Sequence, residues 1–219
     1  MANVLTDLCL ESEAATALAM RLARAYDLAG DDPAEEAFRR VATAVGKYWV
    51  CKRTAPMVAE ALECLGGNGF VEENGLARLY REAPLNSIWE GSGNVNALDV
   101  VRGVTREPAA VAAFTAELDL ARGAHRQLDA AITGTVAALQ ACASSQADAS
   151  AAQSGARGFV EQLATTLQAS LLTRFAPAYV SEAFIASRLG GAHGHTFGTL
   201  SSDLVDASAS RVIERSFTI

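Results

Sequence analysis

Strand-like alternation, long apolar runs and clustered positive charge are all missing from this sequence. No stretch of about 18 uninterrupted apolar residues exists to span a bilayer. Half of the residues are apolar, but alanine supplies much of that fraction. The opening Met1-Ala-Asn-Val leads straight into an amphipathic pattern, without the basic region, apolar core and small-residue cleavage site of a secretory signal, so a soluble, cytoplasmic chain is expected. The four cysteines, Cys9, Cys51, Cys64 and Cys142, stand far apart. They have neither CxxC pairing nor the density of a disulfide scaffold, and read as reduced, packed thiols. A GxSxG elbow and a phosphate-binding loop are lacking, which leaves hydrolase and nucleoside-triphosphatase readings without support. With 18 Lys and Arg against 25 Asp and Glu, the net charge of −7 disfavours a polyanionic partner, because nucleic-acid binding needs clustered cations that release counterions.

What is present is hydrophobic spacing near 3.6 residues, which predicts an all-α protein. Val4, Leu8, Ala15, Leu18, Leu22, Ala25 and Ala29 form one stripe that ends at Gly30 and the pair Asp31-Asp32. Pro33 suits the first turn of a second helix over 34–65, presenting Phe38, Val41, Val45, Tyr48, Trp49, Val58 and Leu62, with a kink at Pro56. Gly66-Gly67-Asn68-Gly69 stops it. A short helix around 75–81, an extended stretch at 84–89 and a helix over 92–103 follow. Pro108 opens a further helical stretch that decays into an exposed connection over 141–155, where little can be buried. Helical periodicity returns over 159–189 and 200–215 around the turn Gly190–Gly194. The expected division is a bundle over 1–105 and a helical extension over 106–219.

The most informative stretch is Ser87-Ile-Trp-Glu-Gly-Ser-Gly-Asn94. A carboxylate lies between an indole and a glycine, just ahead of a helix start. Burial beside Ile88 and Trp89 would raise its pKa, while the helix dipole opposes that shift and favours an anion or oxyanion nearby. Those opposed influences suit a general base. Gly91 removes a side chain that would obstruct a flat ligand, and the amide of Glu90 can donate to a carbonyl gaining enolate charge. The reading requires Glu90 to be half dry, beside a groove. Taken alone, such a glutamate is more often a cap or an ion-pair member. Likewise Gly66-Gly67 follows a helix and not a strand, so a helix cap is its bland reading and close approach of a cofactor or chain the sharper one.

Three motifs in order, Glu60-Ala-Leu-Glu-Cys-Leu-Gly-Gly-Asn-Gly-Phe70, Leu76-Ala-Arg-Leu-Tyr-Arg-Glu82 and Ile88-Trp-Glu-Gly-Ser-Gly-Asn94, resemble the C-terminal helical domain of acyl-CoA dehydrogenases. Tyr80 to Asn94 and the long helical tail look most like the AidB-like, alkylation-response branch. The resemblance implies a helical bundle of that type with an additional C-terminal extension. It implies FAD as cofactor and an acyl-CoA thioester as substrate, with Glu90 at the position of the base that removes the α-proton while the β-hydride goes to the flavin. Trp89 and Gly91 match positions lining the acyl and thioester pocket. Ser92 and Asn94 match positions touching FAD, and Gly66 and Gly67 a loop that reaches the FAD of a neighbouring subunit. Glu63 stands where the family usually has Gln, an anion near a diphosphate. Family members share FAD across a homo-oligomer. Their N-terminal helical domain and β-barrel have no counterpart here, so a truncated product, an excised piece or a split subunit with a partner chain supplying the barrel is expected.

Two alternatives stay open: a catalytically silent helical oligomerisation module, and DNA binding. Against the second, residues 104–219 carry eight arginines and ten acidic residues, a net of −2. His193 and His195 read as a surface turn and not as metal ligands. Glu11 and Glu13, two apart on a helix, do not face each other and read as solvated.

Overall fold

The computed structural model describes residues 1–144 and 149–217, with 149–152 as backbone only. Among the described residues there are helices and turns and no strand. Helix α1 spans Ala2–Leu28 and α2 Pro33–Cys64. Pro33 does open α2, and the Asp32 carboxylate caps it by accepting from the amide of Ala34 at 2.8 Å. The chain continues through α3 (Gly67–Phe70), α4 (Leu76–Glu82), α5 (Gly93–Arg106) and α6 (Pro108–Asp119). The last four helices are α7 (Arg126–Ser144), α8 (Ala149–Phe175), α9 (Ala178–Phe184) and α10 (Ser202–Phe217).

Helix α2 is the axis, with α1, α5, α6 and α8 packed around it. Its first half is buried through Phe38, Val41, Val45, Tyr48 and Trp49, whereas Val58 and Leu62 in its second half are only partly covered. Phe38 meets Phe114 of α6 with ring centroids 5.8 Å apart. A single apolar core runs from Leu10 and Leu18 of α1 to Leu163, Leu167 and Leu171 of α8, so the bundle and the extension share one interior. Trp49 seals the joint by donating its indole N–H to Gln168 Oε1 at 3.0 Å.

Ionic groups also cross that joint. Arg21 of α1 donates to Glu35 of α2 at 2.8 and 3.1 Å and to Glu117 of α6 at 2.9 Å, and it lies 4.1 Å over the Phe38 ring. Arg174 of α8 reaches the same Glu117 at 2.6 Å. Glu11 is buried, contrary to the expectation that it is solvated. Its carboxylate accepts twice from Arg53 at 2.9 Å and once from Arg188 at 3.2 Å, a pairing that offsets desolvation and that spacing along α1 alone does not reveal. Glu13 pairs with Arg215 of α10 at 3.1 Å.

Two further expectations are corrected. Residues 84–89 are not extended, because Pro84 holds a φ suited to a helical first turn, and Ala83–Ser87 form a 3₁₀ helix followed by a turn. The periodicity over 159–189 is interrupted: α8 ends at Phe175, since Pro177 has no N–H and bars its predecessor from helical backbone. A π turn at Ile185–Leu189 closes α9 before the Gly190–Gly194 turn. The connection expected over 141–155 falls partly outside the described residues, and its described flanks are helical, ending α7 and opening α8.

Candidate active site

The 3₁₀ turn at 83–87 ends with the amides of Ile88 and Trp89 both donating to Leu85 O, at 2.9 and 3.2 Å. The chain then reverses. Glu90 has φ +52°, and it is the one non-glycine residue with positive φ among those described; Gly91 follows at φ +100°. A left-handed glutamate is uncommon and persists where its surroundings hold it, which is typical of functional turns. Ser92 is extended and α5 begins at Gly93, where a Cβ would lie 2.7 Å from Lys52 Cε of α2. The missing side chain at Gly93 leaves room for the Lys52 side chain to lie against the start of α5.

Two side chains brace the reversal. Lys47 of α2 donates to Asn86 O at 2.6 Å and Gly91 O at 3.4 Å. Asn96 of α5 donates to Gly91 O at 2.6 Å and Ser92 O at 3.2 Å. Neither was singled out in the sequence. A countable signal existed for the first, since Lys47 and Lys52 are the only lysines beside 16 arginines.

Burial of Glu90 beside Ile88 and Trp89 does not hold in this chain. Its carboxylate is exposed, and Ile88 and Trp89 are 62% and 55% exposed. Phe70, Leu79, Tyr80, Leu85 and Val95 are also largely exposed, so several apolar side chains between residues 70 and 95 stand uncovered. Glu90 lines a cleft of about 430 Å³ with Tyr26, Thr43, Lys47, Asn96 and Asp99. Arg40 fixes one wall through Asp99 at 3.0 Å and Glu107 at 3.0 Å.

The remaining site residues do not gather in that cleft. Glu63 lines a second one, about 450 Å³, with Arg53, Phe70, Tyr80, His195 and Phe197. Asn94 lines a third beside Arg157. Gly66, at φ +58°, starts α3, and both Gly66 and Gly67 are exposed with open space where a Cβ would stand. Gly69 differs: it is buried, and a Cβ there would meet Leu62 O at 2.1 Å. Ser92 and Asn94 are exposed at the start of α5, and the Ser92 hydroxyl does not cap that helix. His193 and His195 lie on an exposed turn. No helix among the described residues is long and apolar enough to cross a membrane.

Residues 1–105 match the family profile described as the acyl-CoA dehydrogenase C-terminal domain. AidB of Escherichia coli K12, whose name places it among acyl-CoA dehydrogenases, is 45% identical over 133 residues, 60% of this chain and 24% of its own length. Acyl-CoA dehydrogenase family member 11 of Caenorhabditis elegans is 48% identical over 63 residues, 29% of this chain and 10% of the relative. The chain thus spans a quarter or less of these relatives. The solved structure of Caenorhabditis elegans ACDH-11 in complex with C11-CoA superposes with a TM-score of 0.68 at 23% identity, over 96% of this chain and 39% of that one. That likeness establishes the fold. What is shown is a match of residues 1–105 to the C-terminal helical domain of acyl-CoA dehydrogenases, in a chain that is similar to AidB over 60% of its length.

Proposed function

We propose that this chain is the C-terminal part of an FAD-dependent acyl-CoA dehydrogenase, and that Glu90 is the base that takes the α-proton of an acyl-CoA thioester. The observation that carries the reading is the braced left-handed turn Glu90–Gly91 at the wall of a cleft, flanked by an uncovered apolar face. A left-handed backbone turn braced by two side chains suits a residue whose carboxylate must point at a reacting atom. The amide of Glu90 is positioned for the thioester carbonyl in this reading, and Trp89 lines the acyl pocket. The exposed state of the carboxylate belongs to the chain by itself. Covering the Ile88 and Trp89 face would shield it from bulk water.

FAD supplies the hydride acceptor when bound. The residues fit it with one exception. Bare backbone at Gly66 and Gly67 leaves room for close approach, and Ser92 and Asn94 offer uncommitted polar groups at a helix start. The exception is Glu63, an exposed anion that opposes a diphosphate. In this reading the uncovered Ile88 and Trp89 are covered by a barrel-bearing partner or further copies of the chain, in an oligomer that shares the cofactor. A catalytically silent oligomerisation module is the second reading, and the same face favours it.

Titrating FAD into the chain, with a flavin-binding barrel domain supplied in cis or in trans, separates the two. A perturbed visible flavin spectrum that bleaches on addition of acyl-CoA is the expected result. Assembly with no flavin uptake leaves the silent module.

A further inference from the structure

We propose that Lys47, acting with Asn96, is the positioning residue of the Glu90 turn: its ammonium ties the carbonyls of Asn86 and Gly91 together and so fixes the left-handed pair from which the Glu90 carboxylate projects. The inference rests on the reading of Glu90 as the base.

The cation inventory of the chain is lopsided, 16 arginines to two lysines, and both lysines lie on α2 beneath residues 86–93. Lys52 lies against Gly93 at the α5 start, while Lys47 makes the hydrogen bonds. The two carbonyls that Lys47 holds are five residues apart and bracket Ser87, Ile88, Trp89 and Glu90. Gly91 O is approached from two elements at once, by Lys47 of α2 and by Asn96 of α5. Neighbouring acids in the same cleft have other cations. Asp99 is held by Arg40 at 3.0 Å and Arg102 at 3.2 Å, and Glu36 by Arg39 at 2.6 Å. The ammonium is directed at main-chain oxygens and not at a carboxylate. A compact ammonium with three donors can serve carbonyls lying in different directions, whereas a planar guanidinium fork cannot take its place without moving them.

Charge-assisted bonds to main-chain carbonyls are stronger than neutral ones, so losing them should loosen the turn selectively. The test uses Lys47→Met, Lys47→Arg and Asn96→Ala in the full chain, supplied with the barrel domain as above. Amide hydrogen exchange is read at Ile88 and Trp89, whose N–H groups are bonded to Leu85 O. The expected change in Lys47→Met is exchange about tenfold faster there, with the α1 and α2 core amides unaltered. In the α-proton exchange of a bound acyl-CoA, kcat should fall about tenfold to a hundredfold while KM stays within about twofold, the mark of a misplaced base. Lys47→Arg should restore less than half of the lost kcat, and Asn96→Ala should shift the same two readouts in the same direction.

Unchanged turn amides in Lys47→Met overturn the proposal. So does an unchanged kcat when Glu90→Gln abolishes exchange, a result that leaves the base intact. Full exchange in Glu90→Gln removes the base reading itself, and the positioning role with it.

Discussion

Removing the Glu117 carboxylate should loosen the joint between the bundle and the extension more than any loss of an exposed charge pair. Glu117 sits on α6 with only 7% of its side chain exposed, and accepts from Arg21 of α1 at 2.9 Å and Arg174 of α8 at 2.6 Å. Burial pushes its carboxyl up, yet the two guanidinium groups outweigh that and hold it below the usual carboxylate range. Taking away one partner of a buried pair costs about 3–5 kcal/mol, because the other charge stays in a low-dielectric site. Here the lower figure applies. Arg21 keeps Glu35, and Arg174, 20% exposed, can turn towards water. A loss of about 3 kcal/mol in a domain of this size lowers Tm by about 6–12 °C. Glu117→Ala measured by calorimetry at pH 7 is the assay, with Glu117→Gln expected to lose less. A Tm within about 2 °C of the parent would refute the claim that this ionic group fastens four helices.

Acid should act through the same carboxylates. Burial raises the Glu11 carboxyl while Arg53 and Arg188 lower it further, so it too ends below its ordinary value. A depressed folded pKa gives stability that is present above the unfolded value of about 4.3 and is lost as pH falls through the folded one. Denaturant midpoints recorded downward from pH 5 should therefore drop steeply, and less steeply in Glu11→Gln with Glu117→Gln. Gly69→Ala should destabilise by about 1–3 kcal/mol through its clash with Leu62 O. Gly67→Ala meets open space and should stay within about 0.5 kcal/mol in the same urea titration. Phe70→Ser with Ile88→Ser, at side chains 76% and 62% exposed, should leave Tm nearly unchanged but weaken self-association in sedimentation. Equal sedimentation before and after would remove the docking role of that face.

Much of the fold was legible because helix signals are local. Pro33 announced the start of α2, the glycine cluster announced its end, and the stripe Phe38, Val41, Val45, Tyr48 and Trp49 is the buried face. Pro177 was equally local and was passed over. Glu11, with Arg53 and Arg188 on other elements, was not legible, since a carboxylate 42 residues from one partner and 177 from the other looks solvated along its own helix. At the candidate site, the sequence marked Glu90 and Gly91 and the structure adds their left-handed backbone. Its burial could not be judged from neighbours in sequence. Ile88 and Trp89 are apolar, but dryness depends on what covers them, and no described residue does. Lys47 and Asn96 stayed hidden because each acts on main-chain oxygens, which carry no sequence signal.

The account stands on Glu90 as a base held in a braced turn. Deuterium wash-in at the α-carbon of a bound acyl-CoA, compared between the parent and Glu90→Gln with flavin and barrel supplied, reads that role without requiring a full redox turnover. The parent should incorporate label, and the variant should lose at least about a hundredfold in rate at unchanged thioester affinity. Equal wash-in by both would contradict the assignment and leave the chain as a helical scaffold.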